Sequence, residues 1–260
     1  MNMEYSIGFI GGGRIAQIFL TGWQRAGRIP AQVVVSDTNA EVLALRQRQF
    51  PSIVTTLANN RMPAGADIVF LALHPPAIGP TLAEIRDVLR PEAILISLAP
   101  KWTLVRLSDG LGGFSRLARV IPNAPSLVGK GYNPVAFSAD LPQEDREEIL
   151  TLLRPFGQAP ITEEWKLEAY AILTGMGPTY FWFQFFALRD LICQFGLPEP
   201  EVTTALRAML EGAMDTITAS GLAPEQVMDL IPVKPLGEEE ERITALYHQK
   251  LEPLYQKIKP

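Results

Sequence analysis

Gly11, Gly13 and Ala16 set a G-x-G-x-x-A pattern within the run Gly8-Phe9-Ile10-Gly11-Gly12-Gly13-Arg14-Ile15-Ala16. The pattern follows a short aliphatic stretch and opens a segment of helical periodicity, which is the context in which it binds a dinucleotide. Gly11 supplies the tight turn, and Gly13 lets the backbone approach a pyrophosphate. The helix that follows offers unpaired N–H groups and a partial positive charge to that anion. Gly11, Gly12, Gly13, Arg14 and Ile15 are therefore the expected pyrophosphate cradle, with Ala16 still small enough for close helix–strand packing. The other reading is a glycine-rich turn that holds no ligand.

Asp37 stands 26 residues after Gly11, at the end of the second apolar stretch. A carboxylate there accepts hydrogen bonds from the adenosine ribose and repels a 2′-phosphate, which favours NAD over NADP. Two alternatives stay open. Asp37 could instead cap the next helix. Were it turned away, Ser36, Thr38 and Asn39 could receive a phosphate, with Arg46 or Arg48 approaching it.

His74 is the histidine placed for acid–base chemistry, because an imidazole titrates near neutrality. It could equally hydrogen-bond the backbone at a strand end. Lys101 and Trp102 follow another aliphatic stretch, where Lys101 could hold an anionic group or simply be solvated. Tyr180 could hydrogen-bond within a pocket or begin a packed helix. His248 reads as a surface residue and Cys193 as a small core residue. No His, Cys and Asp cluster has ligand spacing, so no metal site is expected.

These residues need elements to position them. Ser6 to Ile10, Gln32 to Ser36, Asp67 to Leu73, Ala93 to Leu98 and Leu117 to Ile121 read as short strands bounded by Gly, Pro or Asp. Between the first two, Ile15, Ile18, Phe19, Gly22, Trp23 and Ala26 share one helix face, and Gly27 is a plausible stop. Asn39 to Gln49 and Pro76 to Leu89 read as further helices. Alternation of this kind predicts an α/β domain, a doubly wound parallel sheet of Rossmann type, over residues 1–161. From Thr162 the strand signals vanish. Thr162 to Leu173, Pro178 to Phe195, Pro198 to Ser220, Pro224 to Ile231 and Glu238 to Lys257 read as helices, so residues 162–260 form an all-helical second domain. The cluster Phe181, Trp182, Phe183, Phe185 and Phe186 surrounds its helix on more than one face, which a dimer interface would bury.

Composition narrows the function. The 260 residues carry 23 Lys and Arg against 28 Asp and Glu, a net charge of −5, with 47% hydrophobic residues. That supports a substantial core, and the acidic balance without basic blocks argues against a nucleic-acid partner. One cysteine excludes an intramolecular disulfide framework. The apolar stretch Leu167 to Leu188 is broken by Glu168, Gln184 and Gly175-Met176-Gly177-Pro178, so no membrane span is expected. With no signal peptide legible at the N-terminus, the chain reads as cytoplasmic.

Three further segments resemble the pyrroline-5-carboxylate reductase family. Arg119-Val120-Ile121-Pro122-Asn123-Ala124-Pro125, with Val128-Gly129-Lys130-Gly131, looks like its R-x-M-P-N-T-P…V-G-x-G stretch. Leu173-Thr174-Gly175-Met176-Gly177-Pro178-Thr179-Tyr180 resembles its L-S-G-S-G-P-A-Y run, and Ala187-Leu188-x-Asp190 with Gly196-Leu197 resembles the helix beyond. The resemblance implies a Rossmann domain followed by a helical dimerisation domain. It implies hydride transfer from NAD or NADP to the C=N carbon of a small cyclic imine bearing a carboxylate. It places Leu73-His74-Pro75 beside the cofactor's ribose and nicotinamide, and Pro122 and Asn123 near the carboxamide. His74, where the family usually has Lys, could then protonate the imine nitrogen.

On the substrate side the chain departs from the family. Met176 stands for a second Ser, Phe186 for Glu, and Ala208-Met209 for Gln-Thr. Lys234-Pro235-Leu236-Gly237-Glu238-Glu239 stands for S-P-G-G-T-T. Glu238 and Glu239 offer acceptors only, which oppose an anionic substrate, although Lys234 could compensate. The expectation is an NAD(P)H-dependent reductase of pyrroline-5-carboxylate or a similar imine, acting as a homodimer through its C-terminal helices. The rival readings are a reductase of a less anionic imine or ketone, a dinucleotide-binding protein without catalysis, and a dimerisation module that binds no nucleotide.

Overall fold

The computed structural model describes residues 5–260, and the chain forms two compact units. One comprises the residues up to Met176 together with Tyr255–Pro260; the other is Gly177–Leu254.

The first unit begins β1 (Ser6–Ile10), α1 (Arg14–Arg25), β2 (Gln32–Asp37), α2 (Ala40–Gln49), β3 (Val54–Leu57), α3 (Arg61–Ala64), β4 (Ile68–Leu71) and α4 (Pro75–Ile85). It continues with β5 (Ile94–Ser97), α5 (Leu104–Gly110), β6 (Leu117–Val120), β7 (Gly131–Tyr132), β8 (Val135–Phe137), α6 (Gln143–Leu153) and β9 (Gly157–Gln158). Seven strands form one sheet in the order β3-β2-β1-β4-β5-β6-β8, parallel except where β8 runs against β6; β7 and β9 pair separately. This is the expected doubly wound Rossmann sheet, with the chain reversing direction across the sheet between β1 and β4.

Both faces are covered. On one face Phe9 and Phe70 stack at 4.9 Å and Phe19 and Phe156 at 4.4 Å, joined by Trp23, whose indole N–H donates to the Leu152 carbonyl at 3.1 Å. Gly22 is needed there, since a Cβ would stand 2.6 Å from the Phe156 ring. On the other face Ile78, Leu82 and Ile85 of α4 pack with Leu95, Leu107 and Leu117.

Sequence periodicity missed β3 and β8 because both are short edge strands; β3, Val-Thr-Thr-Leu, is partly exposed and lacks a clean apolar face. The helix expected over Pro76–Leu89 is shorter, because the N–H groups of Val88 and Leu89 both turn onto the Ile85 carbonyl. The helix expected over Thr162–Leu173 is three pieces. A short turn covers Glu164–Lys166, α7 covers Leu167–Tyr170, and Ala171–Met176 winds as a wide π turn.

The second unit contains helices only: α8 (Pro178–Gln194), α9 (Glu199–Ala219), α10 (Pro224–Asp229) and most of α11 (Glu240–Ile258). Helix α8 buries none of its residues within the chain; Phe183 is 66% exposed and Phe186 57%. Among the described residues no helix is long and apolar enough to cross a membrane.

Candidate functional site

The parallel register brings five loop mouths to one edge. Ile10 stands opposite Ser36 on one side and Leu71 on the other, Leu71 opposite Ser97, and Ser97 opposite Arg119. The chain therefore leaves β2 at Asp37, β1 at Gly11, β4 at Ala72, β5 at Leu98 and β6 at Ile121, all at the carboxyl edge, where open α/β sheets bind ligands. Strand spacing of about 4.8 Å stretches the row over roughly 19 Å.

At the centre lies the glycine loop. Gly11 has φ +106°, and a Cβ there would press into the Ala72 carbonyl and lie 3.3 Å from the Leu73 side chain, so the loop sits directly against the end of β4. Gly13 differs: its φ is −67°, and a Cβ would meet nothing within 4 Å. The fold leaves room at Gly13 for something that is not protein. Arg14 and Ile15 begin α1, with no side chain capping its first turn.

Asp37 and Arg46 hold this loop from below. The Gly12 N–H donates to Asp37 Oδ2 at 2.8 Å, and the Asn39 N–H donates to Asp37 Oδ1 at 2.9 Å. The cap of α2 is Asn39, whose Oδ1 accepts from the N–H groups of Glu41 and Val42, so Asp37 is not the cap. Arg46 is buried; its Nε donates to the Gly12 carbonyl at 2.9 Å and its Nη1 to Gln49 Oε1 at 2.7 Å. Burial pulls the guanidinium below its ordinary pKa while Asp37 pulls the other way. Arg46 or Arg48 was expected near a phosphate only if Asp37 turned away, and Asp37 stays at the loop. Arg46 is instead a strut beneath the loop, and Arg48 folds back on the Ala44 carbonyl. Ser36 is fully buried, its hydroxyl donating to Asn60 Oδ1 at 2.8 Å rather than opening to a ligand.

Leu73, His74 and Pro75 leave β4 beside the glycine loop. His74 occupies the cap position of α4, exposed and extended at φ −70°, and its imidazole makes no capping bond. Pro75 opens α4, and its carbonyl accepts the Trp102 indole N–H at 3.0 Å. Pro122 and Asn123 are buried at the mouth of β6, where Asn123 Oδ1 accepts from the Ser126 hydroxyl and the Tyr132 N–H, each at 3.3 Å. A Cβ on Gly175 would come within 3.6 Å of Ile121, so the π turn lies over this mouth. Two segments distant in sequence, Ile121-Pro122 and the Gly175 turn, are thus brought together.

One constellation escaped the sequence reading. Arg119, fully buried, donates through Nη1 to Glu164 Oε1 at 2.9 Å and through Nη2 to Glu168 Oε1 at 2.6 Å. Glu168 also accepts the Lys101 N–H at 3.0 Å, and Glu164 the Leu104 N–H at 2.6 Å. Two carboxylates from beyond the sheet therefore clamp the loop that follows β5. The signal available was an arginine in the middle of an aliphatic strand, which cannot stay there unpaired. Among the described residues no group of three His, Cys, Asp or Glu side chains could hold a metal.

The fold and the loop together are those of a dinucleotide-binding domain of Rossmann type. Comparison with known proteins narrows this. Residues 6–101 match the family described as NADP oxidoreductase coenzyme F420-dependent. The pyrroline-5-carboxylate reductase of Escherichia coli (strain K12) is 27% identical over 230 residues, covering 88% of this chain and 85% of that protein. A pyrroline-5-carboxylate reductase structure from Coxiella burnetii superposes with a TM-score of 0.69 at 26% identity, covering 98% of this chain and 95% of that one. The Plasmodium falciparum pyrroline carboxylate reductase, crystallised with NADP bound, gives a TM-score of 0.74 at 19% identity over 99% and 95% of the chains. Along most of its length the chain is similar to pyrroline-5-carboxylate reductases.

Proposed function

We propose that this protein is an NAD(P)H-dependent reductase that adds hydride to the C=N carbon of a small cyclic imine, 1-pyrroline-5-carboxylate or a close analogue. The observation that carries the reading is the open space at Gly13 above a loop braced by Asp37 and Arg46, beside the Leu73–Pro75 turn. Backbone N–H groups from Gly11 to Ile15 hold the pyrophosphate, Asp37 faces the adenosine ribose, and Leu73, Pro75, Pro122 and Asn123 frame the nicotinamide end. When bound, the reduced nicotinamide supplies a hydride to the imine carbon, and one proton to the nitrogen completes the amine. His74 is placed to deliver that proton, directly or through water. The remaining contribution is positional: the loops hold donor and acceptor together.

Asp37 favours NADH, because Arg46 is spent on loop carbonyls. The exposed aromatic faces of α8 are read as a homodimer interface, since a helix apolar all round needs burial the chain itself does not provide. The single unpaired Cys193 suits a cytoplasmic setting.

Steady-state oxidation of NADH and NADPH with pyrroline-5-carboxylate tests the reading, with rapid turnover and a lower KM for NADH expected. Tight cofactor binding with no oxidation by this or any other imine or ketone would move the assignment to a non-catalytic dinucleotide-binding protein. His74→Ala is expected to lower kcat by 10²–10³-fold, in the range of a lost general acid, with cofactor affinity unchanged. Equal kcat in variant and parent removes His74 from the chemistry.

A further inference from the structure

The loop after β5 carries features that the dinucleotide site does not use. Lys101 has φ +75°, a left-handed conformation uncommon for a residue with a Cβ. It is held there by Glu168, which is 1% exposed, takes the Lys101 N–H and is itself locked to Arg119. Conformations of this kind persist where surrounding structure imposes them, and they gather at binding sites. The next residue, Trp102, ties the loop to the His74 turn through its bond to the Pro75 carbonyl and lies against Gly79. Arg106 stacks over the Trp102 ring at 4.8 Å and donates to the Lys101 carbonyl at 3.3 Å.

Pro75, Gly79, Lys101, Trp102 and Arg106 line a cavity of about 290 Å³ at the carboxyl edge of the sheet. Lys101 and Arg106 both line it from the exposed side, and neither is salt-bridged to a carboxylate among the described residues. The carboxylates that reach this loop, Glu164 and Glu168, are turned to Arg119 and to backbone N–H groups. A protein of net charge −5 thus keeps an uncompensated positive cavity beside its His74 turn. An anion entering the cavity would be attracted by both side chains.

We propose that this cavity is an oxyanion subsite, in which Lys101 and Arg106 bind the carboxylate of the substrate while Trp102 forms its wall. The identity of the ligand rests on the reductase reading; the existence of the subsite does not. Glu168 is then a positioning residue, since it sets the backbone from which Lys101 projects.

Lys101→Gly removes the cation yet relaxes the left-handed backbone, so the variant is expected to fold at least as well as the parent. Kinetics with 1-pyrroline-5-carboxylate and with uncharged 1-pyrroline give the first readout. KM for the carboxylate imine should rise at least tenfold in Lys101→Gly, with kcat within about twofold and KM for 1-pyrroline unmoved; Arg106→Gln should shift the same constant in the same direction. An unchanged KM for the carboxylate imine overturns the subsite while leaving the reductase reading intact. Titration calorimetry with cyclopentanecarboxylate and cyclopentanemethanol gives the second readout and needs no turnover. Carboxylate binding to the parent that is lost in Lys101→Gly supports the subsite even if neither imine is reduced. Absence of carboxylate binding to the parent, or equal binding to both proteins, overturns it.

Discussion

Arg119→Met is expected to be the most destabilising single change in the first unit, at about 3–5 kcal/mol, which for a chain of this size lowers Tm by roughly 10 °C. The reason is what stays behind. Arg119 is fully buried in β6, and its two Nη atoms neutralise Glu164 and Glu168. Glu168 is 1% exposed, and without the guanidinium its charge keeps one backbone donor, the Lys101 N–H. Replacing both ends, as Arg119→Met with Glu168→Met, should recover most of the loss, because a buried pair exchanged for apolar side chains of similar volume is often near neutral. A thermal melt of the two variants and the single Glu168→Met change forms the necessary cycle. A single variant that melts within 2 °C of the parent would show that the cluster is solvated and does not clamp the loop after β5.

Gly13→Leu is expected to raise the dissociation constant for NADH at least 100-fold, about 2.7 kcal/mol, while changing stability by no more than about 1 kcal/mol. Glycine is kept at neighbouring positions for a different reason. Gly8 is closed off by the Pro63 carbonyl, and Gly11 combines φ +106° with the Ala72 carbonyl, so a side chain at either disturbs the fold itself. At Gly13 the backbone is ordinary and the space is empty, so only a ligand can demand glycine there. Fluorescence titration with NADH, paired with a melt, separates the two cases. An unchanged affinity in a folded Gly13→Leu protein would take the pyrophosphate away from this loop.

Much of this was legible before any coordinates. The strand–Gly11-Gly12-Gly13–helix context located the glycine loop at the carboxyl edge of the sheet, because turn chemistry and periodicity are local properties that a few residues carry. All five predicted strands lie in the central sheet, because buried parallel strands are continuously aliphatic. The edge strands β3 and β8 were hidden, since a strand of three or four residues has too short a pattern to read, and β3 is partly exposed as well. Helix α6 was hidden too: its first half is a run of five charged residues, and only Ile149, Leu152 and Leu153 with Asp145 are turned inward.

The sequence by itself determined the class of sheet, the order of its segments and the glycine loop. Tertiary structure alone decided which of those side chains are free. Asp37 and Arg46 lie nine residues apart in the chain; the fold gives Arg46 to the loop carbonyls and sets Asp37 at the edge, where it accepts the N–H groups of Gly12 and Asn39. It likewise took Ser36 inward to Asn60 and drew Glu164 and Glu168 across more than 40 residues to Arg119, with |i−j| of 45 and 49. The physical reason is the same in each case. A buried polar group must find a partner, and which partner lies within 3 Å is set by strand register and packing, neither of which a local stretch of sequence contains.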